Sequence, residues 1–150
     1  MTLADLEGYL ADIYHLNLSF FQSIPDAWAI DQVFPVMPIQ RLNERPDTQA
    51  ILADLTCDSD GMVERFAQEG TSCSLGLHKL RKGEPYDLAF FLVGAYQEIL
   101  GDLHNLFGDT NIVHVDQDDA GATRLRSVLP EETVGRVLSY VEYPAADLLA

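Results

Sequence analysis

The chain has 150 residues, the length of one ordinary domain, and 47% of them are hydrophobic, which is enough for a packed core. Its 24 acidic and 9 basic residues give a net charge of −15, and a surface of that sign repels the phosphates of nucleic acids. We therefore expect no binding to nucleic acid, and an attraction for amines, guanidinium compounds, metal ions or basic protein surfaces. Solubility alone also explains such a charge.

The sequence predicts a soluble, cytoplasmic protein that does not bind a membrane. Cys57 and Cys73 are too few for a disulfide framework, which favours a reducing compartment. The first residues, "MTLADLEGYLADIYHL", lack the cationic start and the long apolar core of a signal peptide. The sequence also lacks a run of about 18 apolar residues that would span a bilayer.

The first half of the chain predicts mixed elements. Leucines at helical spacing predict a helix from Leu3 to about Tyr14, and the alternating run "YHLNLSFF" predicts a strand. "DAWAIDQ" predicts a helical turn, and the prolines after it predict an extended segment at a sheet edge. "QAILADLT" predicts a strand with Ile51, Ala53 and Leu55 on one face, and "GMVERFA" its partner.

The second half continues this pattern. Residues 69–87 predict a polar loop or weak hairpin, and "LAFFLVG" predicts a buried strand. Residues 95–107 predict a helix in which Gly101 marks a close backbone approach. Its apolar stripe comprises Tyr96, Ile99, Leu100, Leu103, Leu106 and Phe107. "TNIVHVD" and "TRLRSVL" predict a hairpin, followed by a helix that starts near Pro130 and buries Val134, Val137, Leu138 and Val141. Five to seven strands with a few short helices predict one α+β domain with a single core.

The junction "FLVGAYQEIL" is one candidate site. Gly94 and Ala95 would let an external group approach the backbone where a helix begins, and a helix start favours an anion. The Tyr96 hydroxyl is then a possible donor to a phosphate. The alternative is that Tyr96 anchors its helix to the sheet.

The turn "TCDSDG" is a second candidate. The thiol of Cys57 can move a proton to or from carbon, and the carboxylate of Asp58 can hold a cation. Asp60 and Gly61 are turn formers, so a purely structural turn is the alternative. Metal binding is a third option, but the spacing fits neither a zinc site nor a calcium loop.

The segment "DAWAIDQ" is the third candidate. It places Asp26 and Asp31 around Trp28, and carboxylates beside an indole suit an amine or a guanidinium group. Ordinary surface helix chemistry explains the same residues. Both lysines, Lys79 and Lys82, lie in one polar loop, unlike the desolvated lysine that forms a Schiff base. The three candidates together therefore represent only half of a catalytic site.

Three long motifs resemble one enzyme family. "NLSFFQSIPDAWAIDQVFPVMPI", "LADLTCDSDG" and "FFLVGAYQEILGDLHNLFGDT" are similar to the C-terminal region of biosynthetic arginine decarboxylases, which are related to ornithine and diaminopimelate decarboxylases and use pyridoxal phosphate. The resemblance implies that residues 1–150 form a single β-domain with a sandwich or Greek-key barrel-like sheet. It also implies that a barrel domain outside this chain carries the cofactor lysine.

The resemblance assigns roles to individual residues. Cys57 would control protonation after carbon dioxide leaves, and Asp58 would grip the cationic end of the substrate. Asp31 would help to hold the guanidinium group across a subunit interface. Tyr96 would contact the cofactor phosphate, and Asn105 is a looser match near the same pocket.

For the whole protein, the resemblance implies conversion of L-arginine to agmatine for polyamine synthesis, a homo-oligomer, and an optional role for magnesium. It also implies that the isolated chain is inactive, since the lysine lies elsewhere. Two alternatives remain: a non-catalytic binding or assembly module that kept this fold, and an unrelated acidic domain that sequesters cations.

Overall fold

The computed structural model describes residues 10–57, 60–68 and 70–148, and these residues form ten short strands, five short α-helices and one 3-10 turn. The β-rich α+β class expected from the sequence is confirmed. The strands are β1 (Asp12–His15), β2 (Val36–Pro38), β3 (Thr48–Ala53), β4 (Met62–Val63), β5 (Phe66–Gln68), β6 (Gly70–Ser72), β7 (Leu75–Leu77), β8 (Leu88–Phe90), β9 (Ile112–Gln117) and β10 (Thr123–Leu129). The helices are α1 (Phe20–Ser23), α2 (Pro25–Ala29), α3 (Tyr96–Leu100), α4 (Val134–Tyr140) and α5 (Ala145–Leu148), and the 3-10 turn is His104–Leu106.

The described residues form two compact units, one that extends through Asp102 and one that begins at Leu103. The extent of the predicted β-domain, residues 1–150, stays a prediction. Each unit has its own pairing of strands, and all three candidate site segments of the sequence lie in the first unit.

Strand β3 is the centre of the first unit. Strand β1 pairs with it in parallel, from Asp12 opposite Ala50 to His15 opposite Ala53. Strand β7 pairs with its first half and β4 with its last two residues, both antiparallel. Every residue from Ala50 to Ala53 is buried, because side chains on both faces of this strand are covered, as its continuous apolar sequence requires.

The hydrophobic core of this unit packs against β3. Phe20 of α1 contacts Phe90 of β8 edge to face, with ring centroids 6.0 Å apart. The buried cluster comprises Phe20, Ile24, Phe34, Ala50, Leu52, Phe66, Leu75 and Leu77. Helix α1 therefore joins the core through Phe20, directly beside the strand that leads to the turn "TCDSDG".

The predictions for the first 23 residues are partly wrong. Met1 to Tyr9 lie outside the described residues, but Asp12–His15 is a strand rather than the end of a helix, since its backbone pairs with β3. The run "YHLNLSFF" is extended only in its first residues. Ser19 then caps α1, its hydroxyl accepting from the Gln22 N–H at 3.4 Å, so local capping decides the structure there.

The polar stretch 69–87 contains more order than the sequence predicts. Strand β7 lies in it with Leu75 and Leu77 buried, and His78 directly after it is also buried. The His78 backbone N–H donates to the Tyr86 hydroxyl at 3.0 Å, and its Nδ1 lies 2.8 Å from the same oxygen. Its Nε2 lies 3.0 Å from the Glu44 carbonyl oxygen. Burial of Leu75 and Leu77 and the hydrogen bonds of His78 together hold this segment in the sheet.

The long helix predicted over residues 95–107 is interrupted. Helix α3 ends at Leu100, and Gly101 is extended, with φ −64° and ψ 142°. A Cβ at Gly101 would overlap the Gln22 carbonyl oxygen, so the predicted close backbone approach is confirmed. The Asp102 N–H donates to the Phe21 carbonyl at 3.0 Å, and this bond to α1 replaces further helical bonding.

The second unit contains the predicted hairpin of β9 and β10, which pair antiparallel with a bulge between Leu125 and Ser127. The Thr133 hydroxyl caps α4, which begins at Val134 rather than near Pro130. Val137 is buried as predicted, whereas Val134 and Val141 are exposed. The Tyr140 hydroxyl donates to Glu132 at 2.7 Å, and this bond holds the pKa of that carboxyl below its usual value.

Candidate functional site

A cavity of about 290 Å³ lies between the end of α2 and strand β4. It unites two of the three candidate segments, because "DAWAIDQ" forms one wall and the end of the turn "TCDSDG" begins the other. The polar and aromatic residues that line it are Trp28, Asp31, Gln32, Asp60, Glu64 and Arg65. Three carboxylates face one guanidinium group, which makes the cavity acidic.

Asp31 is already paired with a guanidinium group inside this cavity. Its Oδ2 lies 3.3 Å from Nη1 of Arg65. Its backbone is left-handed, with φ 55°, a conformation that aspartate adopts more readily than most residues. Both side chains are more than half exposed, and exposed ion pairs contribute at most about 1 kcal/mol. Another cation can therefore replace Arg65 at low cost.

The turn "TCDSDG" exposes its thiol. Cys57 is an exposed, reduced cysteine, and Asp60 reaches the cavity. Asp58 lies outside the described residues, so its role as a carboxylate that grips the substrate stays a prediction. The residue that shapes this turn is Asp54, directly after β3, which was not among the predicted site residues.

Asp54 is 4% exposed and accepts three hydrogen bonds. Its Oδ2 accepts from the Phe20 N–H at 2.9 Å. Its Oδ1 accepts from the Thr56 N–H at 2.8 Å and from the Thr56 hydroxyl at 2.6 Å. One carboxylate thus joins the start of α1 to the turn that carries Cys57. An acidic residue directly after a buried strand was the available signal in the sequence.

Tyr96 is the first residue of α3 and is 75% exposed. The alternative that it anchors the helix to the sheet is therefore wrong. The predicted apolar stripe is exposed at Ile99 and Leu100, and Leu92 before the helix is 88% exposed. Helix α3 has only five residues, so its dipole is too small to define an anion site by itself.

A buried glutamine, rather than an apolar stripe, docks α3. Gln97 is 4% exposed, and its Nε2 donates to Asp26 Oδ2 at 2.6 Å. The Asp26 N–H donates back to Gln97 Oε1 at 3.1 Å. Since Asp26 lies in α2, this reciprocal pair fixes the helix of Tyr96 to the helix that precedes Asp31.

The predicted residues are therefore connected but not all in one cavity. Asp31 lines it, Cys57 follows Asp54 on the adjoining turn, and Tyr96 is held on α3 by Gln97. Among the described residues, no three His, Cys, Asp or Glu side chains form a group that could hold a metal ion. Within the same part of the chain, no helix is long and apolar enough to cross a membrane.

Comparison with known proteins identifies relatives across almost the whole chain. It is 57% identical over 148 residues to the biosynthetic arginine decarboxylase of Rhodopirellula baltica, a match that covers 98% of this chain and 22% of that protein. The resemblance to biosynthetic arginine decarboxylase is confirmed. The enzyme of the same name from Bacteroides thetaiotaomicron is 56% identical over 139 residues, covering 92% of this chain and 22% of that protein. No protein-family model matches the chain.

Solved structures agree. The biosynthetic arginine decarboxylase of Campylobacter jejuni superposes with a TM-score of 0.79 at 35% identity, covering 91% of this chain and 23% of that chain. A diaminopimelate decarboxylase superposes with a TM-score of 0.63 at 16% identity, covering 88% of this chain and 30% of that one; this second likeness shows the fold alone. The chain thus spans about a fifth of the length of the curated relatives it matches.

Gln97→Ala tests the docking of α3. Gln40 and Asp87 form the same reciprocal glutamine–aspartate pair at an exposed position, so Gln40→Ala is a matched control. Because Gln97 is buried, we expect Gln97→Ala to lower the free energy of unfolding by about 1–3 kcal/mol and Gln40→Ala by less than about 1 kcal/mol. Urea unfolding of the two variants measures both changes. Equal losses would contradict the docking role of Gln97.

Proposed function

We propose that this chain acts as the substrate-binding and proton-donating region of a pyridoxal-phosphate-dependent arginine decarboxylase. The reaction converts L-arginine to agmatine and carbon dioxide and serves polyamine biosynthesis. The observation that carries this proposal is the 57% identity over 98% of the chain to a biosynthetic arginine decarboxylase. The acidic cavity supports it, because it suits a substrate whose side chain ends in a guanidinium group.

Binding of the guanidinium group is the first task of these residues. A guanidinium group presents N–H donors in a planar fork that matches carboxylates. Asp31 already accepts such a group from Arg65 at 3.3 Å, and Trp28 lines the same cavity beside it. Asp58, and Asp31 acting across a subunit interface, would hold the distal end of arginine. This grip would orient the reacting end, which is a contribution of positioning rather than of bond chemistry.

The residues around Tyr96 fit the phosphate of the cofactor. Tyr96 is exposed at the start of α3, and a Cβ added at Gly94 would meet open space, so a phosphate can approach the backbone there. Tyr96 would donate its hydroxyl to that phosphate. When bound, pyridoxal phosphate supplies a ring that takes up the electrons released with carbon dioxide. Its lysine lies outside this chain in the proposed enzyme.

Proton transfer is the second task. Cys57 is exposed on the turn beside the cavity, and a thiol in that position can donate a proton to the α-carbon that has lost its carboxylate. Asp54 keeps the turn in place for that donation. The thiol would regain its proton from solvent before the next turnover.

The partners of this region include the remaining parts of the enzyme. Leu92, Ile99 and Leu100 are apolar and exposed around Tyr96, and such a surface suits a covering domain or subunit. A barrel domain, a homo-oligomer and inactivity of the isolated chain are parts of this proposal. A magnesium requirement and a cytoplasmic location also remain predictions.

The alternative from a different class is a non-catalytic assembly module. The exposed apolar surface around Tyr96 fits that role equally well. The translated reading frame around the chain separates the two: a continuous polypeptide with a lysine-bearing barrel supports the enzyme. A separate gene product that binds a complete decarboxylase and leaves the active-site residues of that enzyme unchanged supports the module.

Substitutions at the turn test the proposed roles in the full-length enzyme. We expect Asp58→Ala to raise KM for arginine at least about tenfold with a smaller change in kcat, since a charge-assisted bond to the substrate is lost. We expect Cys57→Ala to lower kcat by about 100-fold and to leave KM nearly unchanged. Cys73→Ala is the control, because Cys73 is the other exposed cysteine. Unchanged kinetics in both turn variants would refute the proposal.

Arg65→Gln tests whether the cavity binds guanidinium groups. Arg65 pairs with Asp31 and so competes with the substrate. Its removal should lower KM for arginine by up to about fivefold, which corresponds to the free energy of one exposed ion pair. Arg81→Gln is the matched control, since Arg81 pairs with Glu44 at 2.7 Å at another exposed position. Steady-state kinetics at fixed salt measure both variants. A raised KM in Arg65→Gln alone would mean that Arg65 assists binding instead of competing.

A further inference from the structure

We propose that Asp54 is a positioning residue that fixes the Cys57 turn relative to the helices that lead to Asp31. This inference rests on the proposed function, because it concerns how that site is held together. Asp54 would touch neither substrate nor cofactor. It would act through Cys57, by setting where the thiol lies.

The hydrogen bonds of Asp54 support this role because they join two segments that are far apart in sequence. One oxygen accepts from Phe20, 34 residues earlier, and the other accepts twice from Thr56, two residues later. Phe20 opens α1, and α2, which follows within two residues, ends just before Asp31. Loss of this carboxylate would therefore let the thiol and the guanidinium-binding residue shift relative to each other.

The Asp54 carboxylate bonds to the residue directly before the thiol. Leu55 and Cys57 are exposed, so burial does not hold them. The Asp54 N–H donates to the Gly61 carbonyl at 2.9 Å and closes the base of the turn. Between these points, the Thr56 N–H and hydroxyl both donate to Asp54. The residue before Cys57 is thus held by the Asp54 side chain.

A carboxylate suits this position better than an amide does. Three donors converge on its two oxygens, and an ionised aspartate only accepts. In Asp54→Asn, the amide NH₂ would face a donor at one of the two positions and leave it unsatisfied. The variant keeps the shape of the side chain, so it alters the hydrogen bonding with little change in volume.

Gly61 is part of the same arrangement. A Cβ at Gly61 would overlap Asp54 Oδ1 and would lie 2.7 Å from the Thr56 hydroxyl oxygen. The close approach therefore requires glycine at this end of the turn. Gly61→Ala would displace the Asp54 carboxylate without removing it. The substitution therefore perturbs the bonds between Asp54 and Thr56 while Asp54 itself is unchanged.

A double-mutant cycle in the full-length enzyme tests the inference. We expect Asp54→Asn to lower kcat about tenfold when Cys57 is present, since a small displacement of a reacting group is costly. In a Cys57→Ala background the same substitution should lower kcat less than about twofold, because the group it positions is absent. Gly61→Ala should give the same pattern as Asp54→Asn.

His78→Gln is the control for stability. His78 is also buried and hydrogen-bonded in the first unit, but it follows β7 and does not line the cavity. Urea unfolding should show that both Asp54→Asn and His78→Gln lose stability, while only Asp54→Asn loses kcat.

The possible outcomes separate the two proposals. An equal loss of kcat from Asp54→Asn with and without Cys57 would overturn the positioning role and leave the proposed function standing. A Cys57→Ala enzyme with normal kcat would overturn the proton-donating part of the proposed function, on which the positioning role rests. A kcat loss in His78→Gln equal to that in Asp54→Asn would show that stability alone explains the effect.

Discussion

The candidate site depends on the hydrogen bonds that the carboxylate of Asp54 accepts. This carboxylate is buried at the end of β3 and accepts hydrogen bonds from the start of α1 and from the turn that carries Cys57. Unpaired, a buried carboxylate would be strongly destabilising, and its three hydrogen bonds offset that cost. Gln97 has the corresponding role between α2 and α3. Two buried polar side chains thus hold together segments that are widely separated in sequence.

The sequence predicts those parts of the fold that depend on local pattern. β3 with its partner β4, the hairpin of β9 and β10, and the turn of α2 follow from apolar runs, alternation and prolines. The polar stretch that contains β7 and the short α1 are not predictable in this way. Local capping by Ser19 determines α1. In the polar stretch, the two buried leucines of β7 and the hydrogen bonds of His78 act together, and a run of three residues is too short to give a clear period. The exposure of the apolar stripe of α3 was not predictable either. The spacing of apolar residues does not reveal whether the surface that covers them belongs to the same unit.

The residues of the candidate site were predictable only where they lie in a recognisable motif. The residues that touch the proposed substrate lie in unusual motifs, and Asp31 does line the acidic cavity. Asp54 and Gln97 were missed because their importance arises from what they bond to across the fold. Arg65 was not predicted either, although it forms an ion pair with Asp31. Chemistry-bearing residues can thus be read from a motif, whereas the residues that position them require the three-dimensional contacts.

The central claim is that this chain supplies a thiol and carboxylates to a site that binds arginine. The most direct test is whether bound arginine protects Cys57 from alkylation. Cys57 and Cys73 are both exposed, so iodoacetamide labelling followed by peptide mass spectrometry compares them within one molecule of the full-length enzyme. The account predicts that saturating arginine slows labelling of Cys57 and leaves that of Cys73 unchanged. Equal labelling of Cys57 with and without arginine would contradict it.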